Sequence, residues 1–135
     1  MTVVVDASVV VAALVVGGPA GRWAEGVLTS SDHLAAPHLM PVEAANILRR
    51  AALAGDITAD TAALAHTDLL DLPAELFPYA PVAARAWELR ANVSIYDATY
   101  VALAEALEAP LATLDARLAR APGPTCRFLL PEAGE

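Results

Sequence analysis

The first strand of this chain is the feature that most limits which folds it can adopt. Residues Thr2–Val5 are β-branched and continuously apolar, which is typical of a strand in a parallel sheet covered on both faces. Asp6-Ala7-Ser8 follows with helix-capping side chains, and residues 9–15 continue as a predicted short helix. A buried strand that passes directly into a helix predicts the first unit of an α/β fold.

The rest of the chain alternates short apolar runs with helical segments. Strands are predicted at residues 34–36, 75–78, 111–114 and 126–130. Helices are predicted at residues 19–29, 41–54, 81–91, 97–107 and 115–121, with a further helix capped by Thr58 or Asp60 and ending near residue 72. This alternation predicts a three-layer α/β/α domain with a central, mostly parallel sheet. Residues 1–135 are predicted to form a single domain, because that length is usual for one.

Four carboxylates stand in four separate segments of this pattern: Asp6, Glu43, Asp97 and Asp115. Asp6 and Asp115 directly follow predicted strands, so they should lie beyond the carboxyl ends of the sheet, where ligands bind in such folds. Asp97 opens a helix at the same edge, and Glu43 has to reach over from its own helix. Two carboxylates about 4 Å apart repel by roughly 4 kcal/mol at an effective dielectric near 20. We expect a bound divalent cation to offset this repulsion, and hard oxygen ligands suit Mg²⁺ or Mn²⁺.

Each carboxylate also has a structural interpretation. Asp6, Asp97 and Asp115 stand where they can simply cap helices. Glu43 is harder to explain in this way, because its neighbours along the chain are largely apolar. A carboxylate in such surroundings needs a partner, whether an arginine, a hydroxyl or a metal.

Charge and composition limit the function classes. The net charge is −8 and all eight basic residues are arginine, which is a poor match for nonspecific nucleic-acid binding. Metal ions in an acidic pocket reverse its local sign, however, and such a pocket also suits a basic segment of a protein partner. The absence of lysine, together with Ala7-Ser8 after Asp6, argues against phosphatases and receiver domains that use an aspartate as phosphoryl acceptor.

The apolar content predicts a partner, and the cysteine content fits an intracellular location. Hydrophobic residues make up 57% of the chain and the mean hydropathy is +0.50, so part of the surface is expected to be covered. Cys126 is the single cysteine, which fits a reducing cytosol. The N-terminal apolar run is interrupted by Asp6 and is too short to span a bilayer. We therefore expect a soluble, cytoplasmic protein with no membrane partner.

Four segments carry motifs that occur in the same order in a known family: residues 2–8, 41–50, 96–104 and 111–115. The most specific of them is Tyr96-Asp97-Ala98-Thr99-Tyr100. Together these segments resemble the PIN-domain ribonucleases, and closely the VapC-type toxins of bacterial toxin–antitoxin pairs. The resemblance runs from Thr2 to about Leu118 and leaves none of the four acidic positions unmatched.

The resemblance implies a function and a set of site residues. Four carboxylates would hold one or two Mg²⁺ or Mn²⁺ ions for in-line hydrolysis of RNA: Asp6, Glu43, Asp97 and Asp115. Ser8 and Thr113 would orient carboxylates or water, and Asn46 would steady Glu43 by a hydrogen bond along the same helix face. It also implies single-stranded or loop RNA as substrate, a homodimer, and an antitoxin whose tail covers the acidic pocket.

Two other functions stay open from the sequence. One is a non-catalytic PIN-like module that binds RNA or a protein partner, and the other is a metal-dependent DNA nuclease. Trp23, Trp87 and Tyr79 are interpreted as core or interface residues, with Trp87 on the buried face of its helix. His38 is interpreted as a solvent-facing residue near a helix start. Arg49-Arg50 either complements a helix dipole or contacts RNA.

Overall fold

Five short parallel strands form the centre of the computed structural model, which describes residues 1–132. They are β1 (Thr2–Val5), β2 (His33–Pro37), β3 (Ala74–Phe77), β4 (Leu111–Ala112) and β5 (Phe128–Leu129). Their order across the sheet is β3-β2-β1-β4-β5, and every adjacent pair is parallel. This confirms the predicted parallel sheet. The single-domain prediction also covers residues 133–135, which lie outside the described residues.

Helices connect the strands and flank the sheet. They are α1 (Ala7–Val15), α2 (Gly18–Ser30), α3 (Leu39–Leu53), α4 (Ala59–Leu70), α5 (Ala83–Glu88), α6 (Ile95–Leu107) and α7 (Ala116–Arg120), with a 3₁₀ turn at Ala80–Val82. Helices α1 to α4 pack on one another, and α5 packs on α6. Within residues 1–132 no single helix has the length and hydropathy of a membrane span; α1 and α2 pass that test only together, across a 112° bend.

Strand β1 is buried on both of its faces. Val3, Val4 and Val5 have exposures of 1%, 0% and 0%, although successive side chains of a strand point to opposite faces of the sheet. Helices must therefore cover both faces of the sheet. This confirms the three-layer α/β/α architecture and explains why the first strand is continuously apolar rather than alternating.

The strand order reverses between β1 and β4. From β1 the chain builds outward to β2 and β3, and it then crosses to the other side of β1 to add β4 and β5. The Asp6 N–H donates to the Ala112 carbonyl at 3.2 Å, which fixes the end of β1 against the end of β4. In an open α/β sheet, the crevice outside such a reversal is where ligands bind.

Several predicted boundaries differ from the structure for local reasons. Helix α3 begins at Leu39 rather than Pro41, since proline is tolerated throughout the first turn, where N–H groups lack helical partners. Helix α6 begins at Ile95 because Ser94 is its cap and accepts a bond from the Asp97 N–H. Asp97 therefore lies in the first turn and does not open the helix.

The prediction that Trp87 faces the core is wrong. Its side chain is 59% exposed, and the Arg90 guanidinium lies 4.6 Å from the centroid of its ring. The inward positions of this segment are occupied by Val82, Ala86 and Leu89, at the spacing of one helical face. Trp87 falls outside that stripe.

The two edge strands of the sheet are short. Strand β3 has four residues and β5 has two. The segment before β5 is held by one ion pair, in which Arg85 Nε donates to Glu105 Oε1 at 2.7 Å. The Thr125 N–H donates to Glu105 Oε2 at 2.8 Å, and the Arg85 guanidinium also donates to the Gly123 carbonyl at 2.9 Å. Side chains thus secure this edge where backbone pairing is brief.

Gly21 of α2 lies against the backbone at the end of α1. A Cβ atom added there would lie 1.8 Å from the Val16 carbonyl oxygen and 2.8 Å from its carbon. Only glycine leaves room for that contact. At Gly26, in the same helix, an added Cβ meets no other part of the molecule within 4 Å.

We predict that Gly21→Ala destabilises the protein while Gly26→Ala does not. Forcing the α1 terminus away from α2 should lower the free energy of unfolding by about 1–3 kcal/mol, as overpacking does. Gly26→Ala should raise it by roughly 1 kcal/mol through helix propensity. Urea unfolding followed by circular dichroism measures both. Equal stability of the two variants would contradict the close approach.

Candidate active site

A cleft of about 190 Å³ opens at the reversal point of the sheet. Three of the four predicted carboxylates line it: Asp6, Glu43 and Asp97. The other lining side chains are Ala7, Asn46, Ile47, Arg50 and Tyr100. Asp6 follows β1, whereas the other two carboxylates are carried by α3 and α6. The structure therefore brings together residues that are far apart in the chain.

Asp6 is both a helix cap and a member of the cleft. Its Oδ1 accepts from the Val9 N–H at 3.1 Å, as an N-cap does, and from the Ser8 hydroxyl at 2.6 Å. Burial raises the pKa of Asp6, although bonds from Ser8, Thr113 and Val9 oppose that rise. The carboxylate is thus firmly held and still unfavourably desolvated.

Ser8 and Thr113 connect the ends of β1 and β4. The Ser8 Oγ also accepts from the Leu114 N–H at 3.3 Å. Thr113 is fully buried, and its Oγ1 accepts from the Asp115 N–H at 3.0 Å. Both hydroxyls therefore hold the segments that carry Asp6 and Asp115.

Glu43 has a hydrogen-bond partner that the sequence analysis did not identify. The Tyr100 hydroxyl donates to Glu43 Oε1 at 2.6 Å, which joins α3 to α6 across the cleft. This bond replaces the predicted one from Asn46, which lines the same cleft. The available signal was the position of Tyr100 one helical turn after Asp97, because a buried tyrosine hydroxyl usually has a partner.

Burial and neighbouring charges raise the pKa of Glu43 and of Asp97. For Glu43 the hydrogen bond from Tyr100 acts against burial, and the charges of Asp97 and Asp6 raise the pKa further. For Asp97 burial is again the largest cause, followed by the charges of Asp115 and Asp6. Asp6, Glu43 and Asp97 therefore act on one another through their charges, and Asp115 acts on Asp97.

Asp115 does not line the main cleft. Asp97 and Asp115 line a second depression of about 240 Å³, together with Asn92, Ser94 and Arg117. Asp115 Oδ1 caps α7 by accepting from the N–H groups of Arg117 at 2.9 Å and Leu118 at 3.3 Å. Asp115 therefore caps a helix, as one interpretation of the sequence predicts. Its charge also raises the pKa of Asp97.

The carboxylates of the main cleft are not neutralised by the ion pairs that the structure describes. The ion pairs of arginine go to Glu88, Glu105 and Asp115, and His33 contacts Glu75. Across residues 1–132, no three side chains of His, Cys, Asp or Glu stand close enough to hold a metal ion jointly. The donor set itself consists of hard oxygens, the type that Mg²⁺ and Mn²⁺ prefer.

His38 and Tyr79 lie outside this cleft. They line a neighbouring, mostly apolar depression of about 390 Å³ with Leu39, Ile95 and Tyr96. His38 is exposed, as predicted. Tyr79 is 46% exposed, whereas Trp23 is half-buried against the core.

Comparison with known proteins places the chain in a family. The PIN domain model matches residues 3–124. Ribonuclease VapC1 of Mycobacterium tuberculosis is 44% identical over 128 residues, which covers 94% of this chain and 96% of that protein.

Two solved structures share the fold at low identity. VapC20 of Mycobacterium tuberculosis, described as a sarcin-ricin loop cleaving toxin, has a TM-score of 0.68 at 18% identity and covers 87% of this chain and 93% of its own. VapBC2 of Rickettsia felis, bound to a DNA fragment from its promoter, has a TM-score of 0.68 at 14% identity, with 98% and 100% covered. The family match and the relative at 44% identity, rather than these structures, establish that the chain belongs to the PIN-domain family and, within it, to the VapC ribonucleases.

Proposed function

We propose that this chain is a Mg²⁺-dependent endoribonuclease and the toxin of a type II toxin–antitoxin pair. One observation carries the proposal: Asp6, Glu43 and Asp97 line a single cleft at the reversal point of the sheet, each with a raised pKa. Carboxylates that repel one another without a cation partner are poised to bind one. The ribonuclease names of the relatives supply the substrate class.

The donor set fits a hard divalent cation. Asp6, Glu43, Asp97 and Asp115 would hold Mg²⁺, with Mn²⁺ as a substitute, once the distances between their oxygens shorten around the ion. Bound there, the ion would supply a Lewis acid that favours deprotonation of water and stabilises charge on the scissile phosphate. Its positive charge would also relieve the repulsion among the carboxylates.

The chain's own residues orient this site. Ser8 holds the Asp6 carboxylate, and Thr113 holds the segment that carries Asp115. Tyr100 directs one oxygen of Glu43 and leaves the other free for a ligand. Such fixed orientation reduces the reorganisation needed when the phosphate binds.

The proposed partners follow from the cleft and from the relatives. Its acidic lining suits a basic segment of an antitoxin, which would cover the site until it is released. VapC20 is described as a sarcin-ricin loop cleaving toxin, and the structure of VapBC2 was determined with a promoter DNA fragment. We extend the proposal to single-stranded or loop RNA as substrate, to a homodimer, and to action in the cytoplasm.

Cleavage of stable cellular RNAs by the purified, antitoxin-free protein tests the proposal. Reactions with Mg²⁺, with Mn²⁺ and with EDTA should give discrete products only when metal is present. Intact RNA under every condition, from a folded protein that still binds metal, would favour the binding-module interpretation. Cleavage of DNA but not RNA would favour the DNA nuclease.

Asp6→Asn should separate catalysis from stability. We expect cleavage to fall on the order of 100-fold or more, the scale seen when one electrostatic group of an active site is removed. The melting temperature at neutral pH should rise in the absence of Mg²⁺, because asparagine still caps α1 and removes a desolvated charge.

Asp60→Asn is the matched control for Asp6→Asn. Asp60 lies in the exposed first turn of α4, so its loss should leave cleavage unchanged and slightly lower stability through the helix dipole. Cleavage by Asp6→Asn at the wild-type rate would contradict the proposed site.

Mg²⁺ should stabilise the protein in a pH-dependent way. The pKa values of Asp6, Glu43 and Asp97 are raised above their ordinary values of 3.8, 4.5 and 3.8, so the folded state binds more protons than the unfolded state. Stability from these groups is therefore present at low pH and is lost as the pH rises through the raised values.

Melting curves between roughly pH 5 and pH 8 measure this linkage. Mg²⁺ should raise the melting temperature most at the high end of this pH range, where the carboxylates are charged and bind the ion. The gain should shrink as protons compete at the low end. A Mg²⁺ effect that is independent of pH, or equal in Asp6→Asn, would be inconsistent with binding at these carboxylates.

Tyr100→Phe should weaken Mg²⁺ binding without removing it. The Tyr100 hydrogen bond lowers the pKa of Glu43, so its loss should shift the pH dependence of cleavage towards higher pH. The phenyl ring keeps the packing, and kcat at the new optimum should fall modestly, by roughly tenfold. An unshifted pH profile would show that this hydrogen bond does not tune the site.

A further inference from the structure

Cations are scarce on this chain, and two of them stand beside the acidic site. All eight basic residues are arginine in a chain of net charge −8. Arg50 lines the main cleft with Asp6, Glu43 and Asp97. Arg117 lines the second depression with Asp97 and Asp115. Asp97 lines both depressions, so the two arginines lie in separate depressions that meet at this residue.

Arg50 lies in the main cleft but forms no ion pair with the carboxylates there. It takes part in none of the ion pairs formed by residues 1–132. The charge of Arg50 is not among the causes that set the pKa of Asp6, Glu43 or Asp97. Its exposed guanidinium is therefore available to a ligand entering the cleft.

Arg117 is only weakly engaged. Its Nε lies 3.8 Å from Asp115 Oδ1, beyond hydrogen-bond distance, and its side chain is 89% exposed. An exposed ion pair of this kind contributes little and exchanges readily for a better partner. A phosphate accepts two parallel hydrogen bonds from one guanidinium, so it is a better partner.

We propose that a single RNA strand crosses the site over Asp97, with one phosphate bound by Arg50 in the main cleft and another by Arg117 in the second depression. This rests on the proposed function for the identity of the ligand. The two arginines would hold the strand on both sides of the scissile bond. They would also explain how an acidic protein retains a polyanion, since the two cations are placed where the strand passes.

Binding of RNA tests the path separately from cleavage. The probes are fluorescently labelled single-stranded oligo(A) and oligo(U), followed by anisotropy in Mg²⁺ on an Asp6→Asn background. Arg50→Gln and Arg117→Gln should each weaken binding roughly tenfold, and to the same extent for both probes, because phosphate contacts carry no sequence information. Each should also reduce the slope of log affinity against log salt by roughly 0.7.

Matched controls stand next to both residues. Arg49→Gln and Arg120→Gln remove the same charge from exposed positions on the same helices and outside both depressions. Both should bind RNA nearly as well as the parent. Arg50→Lys should recover only part of the affinity, because an ammonium cannot make the two parallel bonds of a guanidinium.

The possible outcomes are distinguishable. If Arg50→Gln and Arg117→Gln bind RNA as well as the controls Arg49→Gln and Arg120→Gln do, the strand does not follow this path. That conclusion holds even if the wild-type protein cleaves RNA. A loss confined to one arginine would also overturn a path across Asp97. If both weaken binding while the wild-type protein cleaves no RNA under any condition, the path stands and the proposed catalytic function fails.

Discussion

Mutual repulsion among the carboxylates at the β1–β4 reversal is the constraint on which this structure depends. Asp6, Glu43 and Asp97 are partly desolvated and lie within range of each other's charge. Bringing them together opposes folding, so the stability has to come from elsewhere. The completely buried valines of β1 and the helices on both faces of the sheet supply it. Active sites commonly hold charges in arrangements that the fold would otherwise avoid.

The parts of this molecule that were predictable are those fixed by local sequence. Strand β1 followed by Asp6 predicts both the parallel sheet and one carboxylate at its edge, because a strand and its capping residue are neighbours in the chain. Four motifs in order likewise predicted the family. The predicted convergence of Asp6, Glu43 and Asp97 at one cleft agrees with the structure, whereas their role as metal ligands stays a prediction.

The features that were missed depend on contacts between distant elements or on helix phase. The Tyr100–Glu43 bond joins residues 57 positions apart, and no local pattern specifies it. The exposure of Trp87 follows from which residues of its segment face inward, and a short segment after a 3₁₀ turn leaves that phase undetermined. The start of α6 was missed because Ser94, rather than the more conspicuous Asp97, provides the cap.

The short edge strands have a consequence for how this chain meets other chains. An exposed strand edge can recruit a strand from another molecule, and long, flat edges lead to aggregation. Here β5 offers two residues, and the segment before it is held by Arg85 and Glu105, while Glu75 of β3 contacts the His33 ring at 2.9 Å. Side-by-side addition of strands is therefore disfavoured at both ends of the sheet. The homodimer proposed above would then have to form through the helical surfaces, where large exposed apolar side chains lie on α3 and α4: Val42, Leu53, Leu64 and Leu70.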